Sequence, residues 1–196
     1  MNEKIVIIKY NAGNVYSVSS ALKRLGYSPL ISSNPKEIEA ADKIIFPGVG
    51  EAGSAMKFLR DTKLDEVIPQ LKQPFLGVCL GLQLLCNYSE EGETKCLGVF
   101  NRKIKKFPPK LKVPHMGWNS IKFSNNKLFT NLPENPFVYF VHSYYAELSE
   151  YTIAKTDYIL PFSSALQKNN FYALQFHPEK SGKTGEQILK NFIELI

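Results

Sequence analysis

The segment Pro74-Phe-Leu-Gly-Val-Cys79-Leu-Gly-Leu-Gln83 constrains the chain most. Its first half is a short apolar run that reads as a buried strand, and Leu80 to Tyr88 reads as the helix that follows. A cysteine between two glycines at such a junction is a nucleophile elbow with sulfur in place of a serine hydroxyl. The turn needs glycine at 77 and 81 because it strains the central residue and lets neighbouring chain pass close by. The helix start also turns unpaired N–H groups toward the sulfur, which favours thiolate over thiol.

The same strand-then-helix rhythm runs through the first half. Lys4 to Lys9 is a β-branched run, Asn14 is placed to cap a helix through Leu25, and Gly26 is placed to end it. Pro29 to Ser32 precedes a short helix at Pro35 to Ala40, and Lys43 to Phe46 precedes a turn and the Ala52 to Arg60 segment. Alternation of this kind implies an α/β fold, a largely parallel sheet with helices on both faces and functional groups at the carboxyl ends of the strands. After Cys96 the texture becomes β-rich, with strand-like stretches at Asn119 to Phe123, Phe137 to Val141, Tyr151 to Lys155 and Phe171 to Phe176. Ile188, Leu189, Phe192, Ile193 and Ile196 mark one face of a last helix. With no repeat or linker, 196 residues are expected to form a single domain.

A base and an orienting carboxylate come late, in Phe171-Tyr-Ala-Leu-Gln-Phe-His177-Pro-Glu179. Pro178 keeps His177 extended, so residues 177 and 179 project to the same side. Glu179 can then hold one ring nitrogen while the other takes the Cys79 proton. His115 and His142 also sit near strand ends, but neither has a carboxylate two residues on, and both read as hydrogen-bonded structural residues.

Charge and cysteines narrow the class. The net charge is +6, and the densest basic stretch is Arg102, Lys103, Lys105, Lys106, Lys110 and Lys112. No nucleic-acid motif accompanies it, so it reads as a solvated face. Cys79, Cys86 and Cys96 are an odd number without metal-ligand spacing, and Cys86 and Cys96 read as buried small hydrophobes. Neither a signal-peptide core nor a membrane-length apolar run is present, so the expectation is a cytoplasmic protein with reduced thiols, no metal or cofactor, and no nucleic-acid or membrane partner.

Gly-x-Cys-x-Gly-x-Gln with a downstream His-Pro-Glu resembles the class I glutamine amidotransferases, over essentially the whole chain. The resemblance implies a flavodoxin-like fold and a Cys79, His177, Glu179 triad that hydrolyses glutamine to glutamate and ammonia. Finer features are similar to the histidine-pathway branch of that family: Tyr10-Asn-Ala-Gly-Asn14, Pro47-Gly-Val-Gly50, Pro114-His-Met-Gly-Trp-Asn119, Val141-His-Ser-Tyr144 and the Lys180-Ser181 extension. An N–H from Val49 or Gly50, with that of Leu80, is placed to stabilise an oxyanion. By resemblance, Gly50, Gln83, Ser143 and Tyr144 hold the substrate glutamine.

Ammonia in neutral water is almost entirely protonated, and the chain has no room for a synthase domain. The resemblance therefore implies a heterodimer in which a (β/α)8 cyclase subunit receives the ammonia, with Asn11, Asn14, Met116, Trp118, Tyr139 and Lys180 at the interface. Lys9-Tyr10-Asn11 stands where the family more usually has Asp-Tyr-Gly, which changes the charge and adds a side chain. Two other readings remain: a related glutaminase feeding amidine formation on a surface-polysaccharide sugar, and a non-catalytic module that keeps only the fold. The vitamin B6 branch is disfavoured, because Gly48-Val-Gly50-Glu-Ala replaces its Gly-Gly-Glu-Ser-Thr signature.

Overall fold

The structure is a computed structural model that describes residues 3–10 and 14–196. Strand β1 (Ile5–Ile8) leads to α1 (Val15–Arg24), β2 (Leu30–Ser32), α2 (Pro35–Glu39), β3 (Lys43–Gly48), α3 (Ala52–Asp61), α4 (Leu64–Val67), β4 (Phe75–Cys79) and α5 (Leu80–Leu85). The chain then runs through β5 (Cys86–Ser89), β6 (Thr94–Lys95), β7 (Phe100–Lys106), β8 (His115–Ser120), β9 (Lys122–Phe123), β10 (Phe137–His142) and β11 (Tyr144–Ala146). It finishes with β12 (Thr152–Asp157), β13 (Pro161–Lys168), β14 (Phe171–Leu174) and α6 (Gly182–Leu195).

The main sheet runs in the order β2-β1-β3-β4-β14-β13-β11-β7-β5-β6, with β12 and β9 continuing from β13, while β8 and β10 pair as a separate antiparallel ribbon. The first five strands of that order are mutually parallel. From β14 onward the pairings are antiparallel except β5 with β7, which accounts for the change of texture past Cys96.

Strand alternation builds an apolar core on each face of the sheet. Val6, Ile8, Ile44, Phe46, Phe171 and Ala173 point to the side covered by α3, α4 and α5. Ile5, Ile7, Ile45, Leu76, Tyr172 and Leu174 point to the side covered by α1 and α6, where Ile188, Leu189, Phe192 and Ile193 supply the helical stripe. Each fully buried Phe, Ile or Leu contributes about 1.5–3 kcal/mol. No helix among the described residues is long and apolar enough to cross a membrane.

Local signals explain most element ends. Gly26, at φ 91°, ends α1: its N–H and that of Tyr27 reach back to the carbonyls of Lys23 and Leu22, as in a Schellman motif. The helix after Cys79 stops at Leu85, three residues short of the sequence expectation. Cys86 is extended because N–H groups from Leu97 and Gly98 take the carbonyls of Leu84 and Cys86 and draw the chain into β5. The first four residues of the basic stretch, Arg102, Lys103, Lys105 and Lys106, lie in strand β7, where Phe100 and Ile104 are buried and Lys105 pairs with Glu147 at 2.9 Å, while Lys110 and Lys112 follow the strand.

Candidate active site

The carboxyl ends of β3, β4 and β14 lie side by side, with Gly48 registered against Cys79 and Leu174 against Val78. Cys79 itself has φ 55° and ψ −107°, the strained backbone that an elbow imposes. The glycines have their expected use. A Cβ on Gly77 would come within 2.9 Å of the Gly81 main chain, and one on Gly81 would collide with the Phe46 carbonyl. Gly48 is equally crowded, by the Tyr10 hydroxyl.

Beyond β14 the chain stays extended and carries His177 into the same space. Its N–H is fixed to the Tyr139 carbonyl at 2.9 Å, and Ser181 Oγ donates to the His177 carbonyl at 2.6 Å while accepting from the Tyr139 N–H at 3.0 Å. His177 Nδ1 donates to Glu179 Oε1 at 2.8 Å, and both side chains are wholly buried. Nε2 makes no hydrogen bond of good geometry, but the Cys79 sulfur is close enough to act on the ring. Burial alone would lower the imidazole pKa; the neighbouring Cys79 and Glu179 overcome this and hold it at about 10.

Asn14 departs from its sequence role. It precedes α1 with φ 81° and makes no side-chain cap; its amide donates instead to Glu179 Oε1 and lies 3.2 Å from His177 Nδ1. A cap would use the amide oxygen as acceptor for a helix N–H, whereas here the amide's N–H end is held by the carboxylate, a charge-assisted bond that fixes the side chain away from the helix start.

A cavity of about 330 Å³ opens over the elbow, lined by Val49, Gly50, Cys79, Leu80, Gln83, Glu91, Pro114, Val141, His142, Ser143, Tyr144 and His177. The structure thus gathers in one cleft the residues named for nucleophile, base, oxyanion contacts and substrate contacts, with Glu179 behind the imidazole. Gly50 keeps φ 102°, a conformation that favours glycine.

Of the residues named for an interface, Met116 and Trp118 are 59% and 56% exposed, and the Trp118 ring meets Tyr139 edge-on at 6.1 Å. Lys180 lies over the same Tyr139 ring, 5.9 Å from its centre. Asn11 lies outside the described residues.

The sequence reading missed two polar groups of this site, Glu91 and Gln175, and read a third, His142, as a hydrogen-bonded structural residue without placing it in the cleft. Glu91 reaches the cleft from beyond β5, its carboxylate accepting the Ala52 N–H at 2.8 Å, and burial raises its pKa. Gln175 is fully buried with its amide 3.8 Å from Cys79 Sγ. His142 lines the cleft and belongs to a buried chain. Because the Tyr144 carbonyl can only accept, His142 Nδ1 carries a proton toward it at 2.8 Å. His142 Nε2 then accepts from His115 Nδ1 at 3.1 Å, and His115 Nε2 from Asn119 at 3.4 Å. Burial lowers His142 to about 3 and His115 to about 4, so both rings are neutral at pH 7. The His-Pro-Glu stretch and its neighbours contained Gln175 in plain view; Glu91 had no local signal, and nothing local paired the two histidines with each other.

A profile described as glutamine amidotransferase class-I matches residues 6–195. The chain is 56% identical over 195 residues to the imidazole glycerol phosphate synthase subunit HisH of Bacteroides thetaiotaomicron, covering 98% of this chain and all of that one. It is 46% identical over 196 residues to the subunit of the same name from Pasteurella multocida, covering 99% of each. Among solved structures, a glutamine amidotransferase crystal structure superposes with a TM-score of 0.76 at 19% identity, over 97% of both chains, a likeness of fold.

Proposed function

This chain belongs to the class I glutamine amidotransferases, and from that premise we propose that it is the glutaminase subunit of an imidazole glycerol phosphate synthase, acting in histidine biosynthesis. The full-length 56% identity to a subunit of that name supports the pathway. The observation that carries the chemistry is the buried His177 to Glu179 bond at 2.8 Å, beside a cysteine held at φ 55°. One sheet running through both halves supports reading 1–196 as a single glutaminase unit.

In this reading the Cys79 thiolate attacks the side-chain amide carbon of glutamine, and the resulting oxyanion takes N–H donors from Leu80 and from Val49 or Gly50. Imidazolium His177 gives its Nε2 proton to the departing amine, leaving a thioester and free ammonia. Water, deprotonated by the same nitrogen, then hydrolyses the thioester to glutamate and restores the pair. Glu179 holds the ring in the required tautomer throughout, and Asn14 holds Glu179.

The cleft also suits an amino-acid substrate. Both N–H groups of Gln83 are engaged, by the Tyr144 carbonyl at 3.1 Å and by Gln175 at 3.2 Å, so its Oε1 is the end left for substrate N–H groups. Glu91 supplies the negative charge that an α-ammonium requires, and Ser143 and Tyr144 complete the substrate contacts. A (β/α)8 cyclase subunit receives the ammonia across the surface that carries Met116, Trp118, Tyr139, Asn14 and Lys180. Exposed aromatic and methionine side chains of this kind are enriched in interfaces.

The test is glutamate release by the isolated chain, then with the cyclase subunit and its nucleotide ligand added. The expected result is slow turnover alone and a large rise on assembly. Fast turnover alone with no response to the cyclase would overturn the assignment.

A further inference from the structure

Gln175 is fully buried and follows directly on β14, whose register sets Leu174 beside Val78 and so brings residue 175 alongside Cys79. A buried amide is costly unless its polar ends are satisfied. Here both are engaged: Oε1 accepts from Gln83 Nε2 at 3.2 Å, and Nε2 lies 3.8 Å from Cys79 Sγ.

The direction of that contact is imposed from a distance. The Tyr144 carbonyl only accepts, so Gln83 must present Nε2 to it, at 3.1 Å. The second N–H of Gln83 then faces Gln175, which must answer with Oε1, and its own Nε2 is left turned to the sulfur. Flipping either amide would set two acceptors or two donors face to face.

We propose that Gln175 is a positioning residue of the glutaminase reaction, its amide donating to the Cys79 sulfur and favouring thiolate, in a direction set by the Tyr144 carbonyl through Gln83. Besides His177, the sulfur meets two polar groups of opposite sense: as a thiol it donates to the Val141 carbonyl at 3.9 Å, and as a thiolate it accepts from Gln175. A donor to an ionised acceptor makes roughly twice as strong a bond as a neutral pair, so the Gln175 contact weights the balance toward the nucleophilic form. The same chain leaves Gln83 Oε1 free for substrate. The proposal rests on reading Cys79 as the nucleophile.

Gln175→Met tests it, because it keeps an unbranched side chain while deleting both the donor and the acceptor. Alkylation of Cys79 by iodoacetamide, followed peptide by peptide against pH, gives the ionisation of that thiol apart from Cys86 and Cys96. The titratable groups around the sulfur are His177 and Tyr10, with His142, Tyr144 and Glu91 across the cleft, and all are unchanged in the variant. The alkylation midpoint is expected to move to higher pH by about one unit, with kcat in the assembled enzyme falling up to roughly tenfold at pH values below the midpoint and little above it. A folded variant whose alkylation curve coincides with the wild type would overturn the proposal, even if its melting temperature fell.

If the variant does not fold, the Gln175 side-chain amide resonances of the wild type decide. They are expected to shift with the alkylation midpoint and to lose that shift in Cys79→Ala; resonances indifferent to pH would overturn the proposal. Retained glutamine hydrolysis in Cys79→Ala would instead overturn the parent reading.

Discussion

The ribbon of β8 and β10 has two faces made from neighbouring residues, and they differ in kind. Inward, His115, Val138, Phe140 and His142 are buried; His115 stacks on Phe140, and the two histidines are wired to the Tyr144 carbonyl. Outward, one residue away in each strand, Met116, Trp118 and Phe137 stand 59%, 56% and 59% exposed. The inner face satisfies itself within the chain, whereas the outer face leaves more than half of each of these large apolar side chains to solvent, even where Trp118 meets Tyr139. The inner face serves the site and the fold, and the outer face suits a second protein.

The contrast breaks most sharply at the nucleophile. Cys79→Ala is expected to lower glutamine hydrolysis at least ~10³-fold while unfolding free energy moves by no more than about 1 kcal/mol; glutaminase assays paired with urea melts check both. Next comes the ribbon itself. Phe140→Ala should cost about 3–5 kcal/mol of stability. Trp118→Ala should leave stability within about 0.5 kcal/mol and weaken cyclase binding by about 2 kcal/mol, read by denaturant melts and titration calorimetry. If Trp118→Ala destabilised as much as Phe140→Ala, the two faces would not differ as described.

A smaller effect separates the histidines. His115 and His142 are lowered by burial to about 4 and about 3, so their contribution to stability is complete above pH 6.5 and lost as pH falls toward those values. His177 is raised to about 10, so its contribution is complete below pH 6.5 and lost as pH rises through that value. Unfolding free energy measured across pH should therefore fall on both sides of neutrality. His142→Gln should flatten only the acid side; flattening of the alkaline side instead would reverse the assignment of the two sites.

What the sequence made legible was local. The glycines around Cys79, the extended His177-Pro-Glu179 and the strand-helix alternation each state their geometry within a few residues. Strand β13 was missed because Ser163 and Ser164, buried between β14 and the β11 and β12 edges, look like loop residues until the ladders around them exist. Strand β7 was missed because a run of lysines hid the two-residue period of Phe100, Arg102 and Ile104. Glu91, Gln175 and the His115 to His142 pair depend on contacts between distant segments, which no spacing announces. Asn14 was read as a cap because its neighbours are helical, and the carboxylate it serves is 165 residues away.

One atom sits behind both buried polar chains: the Tyr144 carbonyl oxygen, which accepts from Gln83 and from His142. No codon encodes it, since every amino acid brings the same carbonyl. Alanine scanning will pass over position 144 without touching the oxygen, and sequence drift at that residue leaves it in place. The reference point for donor direction in this site is thus heritable without being mutable, and only a change in the path of the main chain, or a backbone ester introduced chemically, can disturb it.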